Sequence, residues 1–303
     1  MAASPAAVVV SVSIDWEGAY IEEEGQAALT RFRTDNPEVP VTHFICPAYY
    51  TKPGAVAADV TAALRAQIRK GDEVGVHLHA WNSLVQAAHV PVRSGRSFLT
   101  ADGRLMDFDG DAGFDLDPTI YTVTELRSLL STSRRLLASA GFTVAPVFRA
   151  GGWLGAPNVL EAARAEGFEV DASAIDPAWL GDAEGEEEFQ QLAVRLRDVW
   201  PKVDRTSQPF IIDTPAGPLL EVPDSGGMAD QVTREEMEDH VQRAAQKGGG
   251  PVFVHLGLHA ETAEDHADGL SSALADLRRR KVPMQFVTVG RAAELARAGL
   301  AKK

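Results

Sequence analysis

The chain has 303 residues, of which 45% are hydrophobic and 24% are charged, an ordinary balance for a globular protein with a large core. Its 43 acidic and 29 basic residues give a formal net charge of −14. Because binding to phosphate needs a basic surface, this charge argues against nucleic acid and against an anionic membrane surface as partners. The single cysteine, Cys46, excludes an intrachain disulfide.

The beginning of the chain predicts a buried strand and not an export signal. The apolar run Ala6–Val12 has no basic region before it, and the acidic residues Asp15 and Glu17 follow at once. No stretch approaches the ~20 apolar residues of a membrane span. We therefore expect a cytoplasmic protein.

Apolar runs of strand length alternate with helical patterns along most of the chain. The expected strands are Ala7–Asp15, Val39–Cys46, Glu73–Leu78, Val144–Ala150, Glu169–Ser173, Val252–Leu258 and Met284–Val289. The expected helices are Gly25–Asn36, Ala57–Lys70, Val123–Ala140, Ala156–Glu166, Thr233–Lys247, Ala263–Lys281 and a terminal helix from Arg291. Repeated strand–helix units imply parallel pairing. The expected fold class is α/β, a distorted or incomplete (β/α) barrel of about seven parallel strands.

Three segments depart from this alternation. Residues 85–118 lack periodicity and predict a long loop insertion of the kind that often serves function. Gly181–Phe189 is acidic and is expected to be solvated, while Phe210–Asp213 and Leu219–Val222 predict a hairpin. We expect residues 1–303 to form one domain that carries the 85–118 insertion.

Two histidines at the end of the third predicted strand form the clearest polar cluster. His77 and His79 lie two residues apart, so they project to the same side of a strand. This spacing lets both imidazoles reach one metal ion, although such a pair also occurs for purely structural reasons.

Three further strand ends carry polar residues. Asp15 and Glu17 follow the first strand, and two carboxylates leaving a buried strand are costly unless they bind a metal, pair with a cation or act as a base. Arg149 follows another strand, where its guanidinium can hold a carboxylate. His259 ends a late strand, and His255, deeper in that strand, is expected to be a core residue. A barrel would bring all these groups to one mouth, where they supply the parts of metal-assisted hydrolysis.

The order of these segments resembles the polysaccharide deacetylases, the NodB-type family 4 carbohydrate esterases. That family has Thr-Phe-Asp-Asp after its first strand, a Glu-(Ile/Val)-Gly lead-in to His-(Ser/Thr)-x-x-His, then Arg-x-Pro-x-Gly and a late Leu-x-Leu-His. The matching segments are Ser-Ile-Asp15-Trp-Glu17, Glu73-Val-Gly-Val-His77-Leu-His79, Phe-Arg149-Ala-Gly-Gly-Trp153 and Leu256-Gly-Leu-His259. The resemblance spans residues 8–289 and implies a distorted (β/α) barrel.

The resemblance also implies roles for individual residues. Family members hydrolyse acetamides with a divalent metal, usually zinc. By resemblance, Glu17, His77 and His79 are the metal ligands. Asp15 is the general base, Arg149 orients it, and His259 is the general acid. The implied partner is a small-molecule or oligosaccharide substrate.

The chain departs from the family pattern in its metal-binding segment. The family's second ligand histidine lies four residues after the first, where this chain has Trp81, so His79 replaces it as in a divergent His-x-His-x-Trp branch. Because of the altered spacing, Asp15 and Glu17 can exchange roles. Asp171 is expected to be either a structural cap or a residue that tunes His259.

Two alternative functions remain open on the sequence alone. One is a catalytically inactive relative that binds glycans or a protein. The other is an unrelated barrel metallohydrolase with ligands elsewhere, for instance at His43 and His89, although His43 is better explained as a core or rim residue. Trp16, Trp81 and Trp153 fall inside the motifs and either wall a pocket or pack around the barrel mouth.

Overall fold

A computed structural model describes residues 7–181, 187–247 and 251–300 of the chain. Within these ranges, the strands are β1 (Val8–Trp16), β2 (Val41–Ile45), β3 (Glu73–Leu78), β4 (Asp107–Phe108), β5 (Asp111–Ala112), β6 (Val144–Ala150), β7 (Val170–Asp171), β8 (Phe210–Thr214), β9 (Gly217–Glu221), β10 (Val252–His259) and β11 (Met284–Val287).

The helices in the same ranges are α1 (Glu23–Asp35), α2 (Ala57–Gln67), α3 (Asn82–Ala87), α4 (Val123–Ser139), α5 (Pro157–Ala165), α6 (Ala178–Gly181), α7 (Glu187–Val199), α8 (Arg234–Gln246), α9 (Ala263–Arg279) and α10 (Val289–Leu300). Short 3₁₀ helices span Pro47–Tyr50, Pro118–Ile120 and Gly151–Trp153. No helix in the described part of the chain is both long and apolar enough to cross a membrane.

One curled sheet carries most of the strands, in the order β10-β1-β2-β3-β6-β7-β9-β8. Strand β11 pairs with the first half of β1, and β2 pairs with its second half. Every pairing in this sheet is parallel except that of β8 with β9, which is the predicted hairpin. Strand β9 also pairs in parallel with β7, so the sheet has one parallel strand more than expected.

The sheet closes into a barrel through an irregular segment, residues 222–229. The Asp224 amide donates to the Ala174 carbonyl at 2.7 Å, and the Gly226 amide donates to the His255 carbonyl at 2.7 Å. This segment therefore bridges the edge after β7 and β9 to β10 without becoming a strand. The predicted fold class, a distorted (β/α) barrel, is confirmed.

Strand β1 lies between β10 and β2 in the sheet and is buried along its whole length. Its valine-rich run has neighbours on both edges and layers on both faces, as parallel strands covered by helices require. The helices bury one apolar face each; in α4 these are leucines such as Leu126, Leu130 and Leu137. The fold thus fixes the carboxyl end of β1, and with it Asp15 and Glu17, in the middle of the barrel mouth.

Two expectations about irregular segments need correction. Residues 85–118 are mostly irregular, as expected, but they include the end of α3 and the small antiparallel hairpin β4–β5. The acidic segment predicted to be solvated runs into helix α7, which the sequence analysis did not predict; residues 182–186 lie outside the described residues. Helix α7 forms because Leu192 and Leu196, four residues apart, are both buried.

Candidate active site

The barrel mouth brings together all six residues that the sequence analysis singled out. Asp15 is the register partner of His259 across β1 and β10, and His77 is the partner of Arg149 across β3 and β6. Because parallel strands end at the same edge, these side chains and the residues just beyond them share one mouth.

Glu17, His77 and His79 form a compact buried cluster. The Nε2 atoms of His77 and His79 are 3.1 Å apart, and the Glu17 Oε1 atom lies 3.2 Å from His77 Nε2. The other Glu17 oxygen, Oε2, contacts His79 Nε2. One candidate ligand atom from each residue lies within 4.8 Å of the other two.

Backbone carbonyls fix the protonation of both imidazoles. His77 Nδ1 lies 3.1 Å from the Arg149 carbonyl oxygen, and His79 Nδ1 lies 2.6 Å from the Phe114 carbonyl oxygen. A carbonyl only accepts, so each Nδ1 carries a proton, and in the neutral imidazole each Nε2 keeps its lone pair. The two Nε2 atoms lie 3.1 Å apart and face one carboxylate. Their lone pairs and the carboxylate can therefore bind one cation together.

The Glu17 carboxylate also fits this role. Burial raises its pKa, but the imidazoles of His79 and His77, when they are charged, outweigh burial and hold the pKa well below its ordinary value. Its Oε2 atom is buried and lies against His79 Nε2. Two imidazole nitrogens and one carboxylate are a common donor set for a divalent metal, so the residues present fit the expected ion.

Asp15 forms an ion pair with Arg149 behind this cluster. Arg149 Nη1 donates to both Asp15 carboxylate oxygens, at 3.0 and 2.9 Å, and Arg149 Nε donates to the Ala172 carbonyl at 2.8 Å. Burial lowers the pKa of Arg149, but Asp15 and Asp224 raise it by more, so the guanidinium stays charged. The carboxylate of Asp15 is thereby paired with a cation and fixed in direction.

His259 is paired with an aspartate that the sequence analysis did not identify. Its Nδ1 lies 2.7 Å from Asp230 Oδ2, and its Nε2 points to Glu17 Oε1 at 3.4 Å. Burial lowers the pKa of His259, but Asp230 outweighs burial and raises the pKa to about 10. His259 therefore carries a proton on Nε2, directed into the cluster.

No protein-family model and no curated protein matches the sequence. Among solved structures, a putative polysaccharide deacetylase from Mycobacterium smegmatis superposes with a TM-score of 0.59 at 14% identity, over 99% of this chain and 93% of its own. A probable polysaccharide deacetylase from Pseudomonas aeruginosa PAO1 (15% identity) and the Puue allantoinase (13% identity) each give 0.53, over 96% of this chain and 91% of theirs.

This chain has the polysaccharide deacetylase fold. The likeness explains why the matching sequence segments occur in the family's order, since each ends a strand at the barrel mouth. It extends over nearly the whole chain, including the strands that carry the six residues.

Within this deacetylase fold, Asp171 does not reach His259. The side chain of Asp171 accepts a hydrogen bond from Ser173 at 2.6 Å, and Asp171 is the register partner of Glu221 on β9. Asp230 lies just after the segment that closes the barrel, in a stretch without periodicity. No sequence pattern marked it, and only the fold brings it to His259.

Glu261 is a second residue that the motifs did not reveal. Its carboxylate accepts hydrogen bonds from the backbone amides of Glu17, at 3.1 Å, and Ala19, at 3.3 Å, and from the Tyr49 hydroxyl. Burial and the nearby Glu17 raise the pKa of Glu261 to about 7. Glu261 thus holds the backbone of the turn that presents Glu17.

The three other histidines that the sequence analysis considered, His43, His255 and His89, are not part of the cluster. His43 is fully buried, and its Nδ1 accepts from Trp16 Nε1 at 3.2 Å, so its core assignment is correct. His255 is buried with its Nε2 3.0 Å from Ser13 Oγ, while burial and the Arg149 charge hold its pKa well below the ordinary value. His89 is exposed and lies outside the cluster.

The three motif tryptophans divide between packing and the pocket. Trp16 bonds to His43 in the core, and Trp81 Nε1 donates to the Glu17 carbonyl at 2.9 Å from behind the cluster. Trp153 faces the barrel mouth and makes an edge contact with His259, with ring centroids 5.9 Å apart. Only Trp153 of the three lines the cavity at the mouth.

A cavity of about 220 Å³ opens at the cluster. Its polar floor includes Glu17, His79, Asp230, His259 and Glu261. Its walls are apolar and are formed mainly by Phe98, Leu99, Phe108, Phe114, Trp153 and Leu192. The cavity therefore combines candidate catalytic groups at one end with an apolar enclosure at the other.

Proposed function

We propose that this chain is a divergent polysaccharide deacetylase homologue that hydrolyses a carbon–nitrogen bond other than a peptide bond. Its proposed substrate is an N-acetylated sugar or a related small amide. The proposal rests mainly on the Nε2 atoms of His77 and His79, which lie 3.1 Å apart and face Glu17. The fold neighbours include deacetylases and an allantoinase, so the fold supports amide hydrolysis without deciding between polymer and small molecule.

The proposed metal ligands are Glu17, His77 and His79, and the proposed ion is Zn²⁺. Three protein ligands from imidazole and carboxylate groups, with a position left for substrate, are typical of catalytic zinc. Such an ion lowers the pKa of water and polarises a carbonyl oxygen. The carbonyls that accept from His77 and His79 keep both ring nitrogens oriented toward it.

The proposed reaction uses Asp15 as base and His259 as acid. A water oxygen bonds to the amide carbonyl carbon, and Asp15 accepts one proton of that water. The carbon–nitrogen bond then breaks as His259 donates its Nε2 proton to the leaving nitrogen. The products are a carboxylic acid, which is acetic acid for an N-acetyl substrate, and an amine. The proton on Asp15 returns to solvent, and His259 is protonated again from solvent.

Two features support these assignments. Arg149 pairs with Asp15 and fixes the direction of its carboxylate, and Asp230 raises the pKa of His259, which favours the protonated form that an acid needs. Asp15 lies with Glu17 and His259 in a second group whose candidate ligand atoms fall within 4.8 Å of one another. Base, acid and proposed ion would therefore meet at one scissile bond.

Metal analysis of purified protein tests the proposal. We expect about one zinc per chain, loss of that zinc in His77→Ala and His79→Ala, and acetate release from N-acetyl amides that stops on chelation and returns with zinc. His89→Asn is the matched control, because His89 is exposed and asparagine tolerates its positive φ of 56°.

Two results would contradict the proposal. Zinc that survives both histidine substitutions would refute this ligand set. A protein that binds no metal and hydrolyses no amide would indicate an inactive deacetylase-like binding module instead.

A further inference from the structure

We infer that the substrate is a compact, uncharged amide bearing an apolar group of about one ring, and that an extended glycan chain is not the substrate. The inference rests on the proposed function and names the substrate class of the same site. It comes from the walls of the cavity, which none of the proposed catalytic steps uses.

The apolar walls come from separate parts of the chain. Phe98, Leu99, Phe108 and Phe114 belong to the 85–118 insertion, Trp153 follows β6, and Leu192 lies on α7. The insertion, Trp153 and helix α7 together contribute six apolar side chains to one cavity, and so do more than cover the barrel. They form apolar walls around the position next to Glu17 and His79.

Three of the six wall side chains are packed into the protein, and the other three are partly exposed. Phe98, Trp153 and Leu192 are almost completely buried, and Gly152 leaves the space in which the Phe98 ring lies, since an added Cβ would come within 2.8 Å of it. The most open lining aromatic is Tyr20, with 38% of its surface exposed, and its ring lies 6.3 Å from that of Phe108. A groove for a polymer would instead present a row of open aromatic faces.

The size of the cavity limits its occupant. At about 220 Å³ it is smaller than the roughly 300–1,000 Å³ of pockets for drug-sized ligands. The space between its walls holds about one ring, and any further linked sugar units would lie outside these apolar walls.

The charged groups that line the cavity also favour an uncharged substrate. The lining includes the carboxylates of Glu17, Asp230 and Glu261, and no lysine or arginine lines the cavity in the described part of the chain. His259 is already paired with Asp230 at 2.7 Å, so an anionic group that lies away from the proposed ion would meet carboxylates without a further cation to offset them. A neutral amide and its amine product are compatible with this floor.

The test compares four probes on the zinc-loaded enzyme: acetanilide, benzamide, N-acetylglucosamine and chitotetraose. We expect kcat/KM for the better of the two ring amides to exceed that for chitotetraose by at least about 30-fold, because full burial of one apolar group is worth roughly 10- to 150-fold. Acetanilide carries its ring on the nitrogen side and benzamide on the carbonyl side, and the inference is the same whichever of the two is the better substrate.

A matched pair of variants on one helix tests the walls. Leu192 is 1% exposed and lines the cavity, whereas Val194 is 57% exposed on the same helix. Leu192→Ala should weaken binding of the preferred ring amide about fivefold, and Val194→Ala should leave it unchanged. Leu99→Ala, at a half-buried position in the insertion, repeats the test where packing is more tolerant.

Calorimetry with metal-free protein separates this inference from the proposed function. Ring-amide binding that falls in Leu192→Ala or Leu99→Ala and not in Val194→Ala supports the apolar pocket even if no probe is hydrolysed. Chitotetraose turnover equal to that of both ring amides, with binding insensitive to both wall variants, would overturn the inference while leaving hydrolysis intact.

Discussion

Gly151→Ala should weaken zinc binding without unfolding the protein. An alanine Cβ at this position would lie 2.6 Å from His79 Cε1 and Nδ1 and 2.7 Å from its Nε2. The backbone of Gly151 has no positive φ, so alanine is not excluded by conformation. The whole effect therefore falls on the His79 ring.

The expected magnitude follows from this overlap. Ordinary contacts begin at 3.4 Å, so the ring must move by about 0.8 Å, the difference from 2.6 Å. It cannot simply retreat, because it stacks on Phe114 with centroids 4.5 Å apart and its Nδ1 is held by the Phe114 carbonyl. Zinc–nitrogen distances tolerate only about 0.2 Å, and losing the support of a ligand histidine typically costs 10- to 100-fold in affinity. We therefore expect a loss of about 1.4–2.7 kcal/mol in zinc binding free energy.

Competition with a chromophoric chelator measures the zinc affinity, and urea unfolding of the metal-free protein measures stability. Gly269→Ala on α9 is the control, because nothing lies within 4 Å of the added Cβ. That variant should gain roughly 0.5–1 kcal/mol in stability from helix propensity and bind zinc as the parent does. A zinc affinity of Gly151→Ala within twofold of the parent would show that His79 is not a zinc ligand whose position depends on Gly151.

Three further substitutions probe the charges around the cluster. Asp230→Asn should lower kcat roughly 10²- to 10⁴-fold, the usual contribution of a positioned acid, because it removes the partner of His259. The zinc content should not change. Steady-state kinetics with metal analysis checks this, and a kcat within threefold of the parent would contradict it. Arg149→Met should cost about 3–5 kcal/mol in urea unfolding, because it removes the cation that pairs with the buried Asp15 carboxylate. A loss below 1 kcal/mol would show that this ion pair does not hold the fold together. Burial raises the pKa of Glu221 well above its ordinary value, so the folded state keeps a proton that the unfolded state loses, and stability falls as pH rises above the unfolded pKa. Glu221→Gln removes this term, so its stability relative to the parent should increase by up to about 1.4 kcal/mol per pH unit above pH 4.5; parallel stability curves from pH 4 to 8 would refute the assignment.

The parallel core of the fold could be predicted because buried strands appear in the sequence as continuous apolar runs. Strands β3 and β6 match their predicted bounds, and β1, β2 and β10 differ only by a few residues at their ends. These strands are covered on both faces, so their apolar runs are continuous. Helix α7 was missed because its acidic start obscures the buried Leu192 and Leu196.

The candidate site likewise has residues that the sequence predicts and residues that it does not. His77, His79, Asp15 and Arg149 stand at strand ends, so counting along the strand predicts their shared mouth. Asp230 has no such mark, because its place depends on the irregular closing segment before it. Glu261 likewise acts through the backbone amide of a residue 244 positions away, a contact that only the assembled barrel creates.

The cluster also explains why the motif spacing could change without loss of the proposed site. In a strand, residues two apart project to one side, so His77 and His79 face the same site. A backbone carbonyl bonded to each Nδ1 then orients both Nε2 atoms toward that site. Gly151 supplies the room for the second ring, and residue 81 is then free to carry a tryptophan that supports the Glu17 carbonyl from behind. Trp81, at the position that matches the second histidine of the deacetylase pattern, supports the backbone that holds Glu17. The proposed ligand His79 depends on Gly151 and on the Phe114 carbonyl of the 85–118 insertion. On the proposed ligand set, a chain that kept His79 but lost either support would retain the motif and bind the metal more weakly.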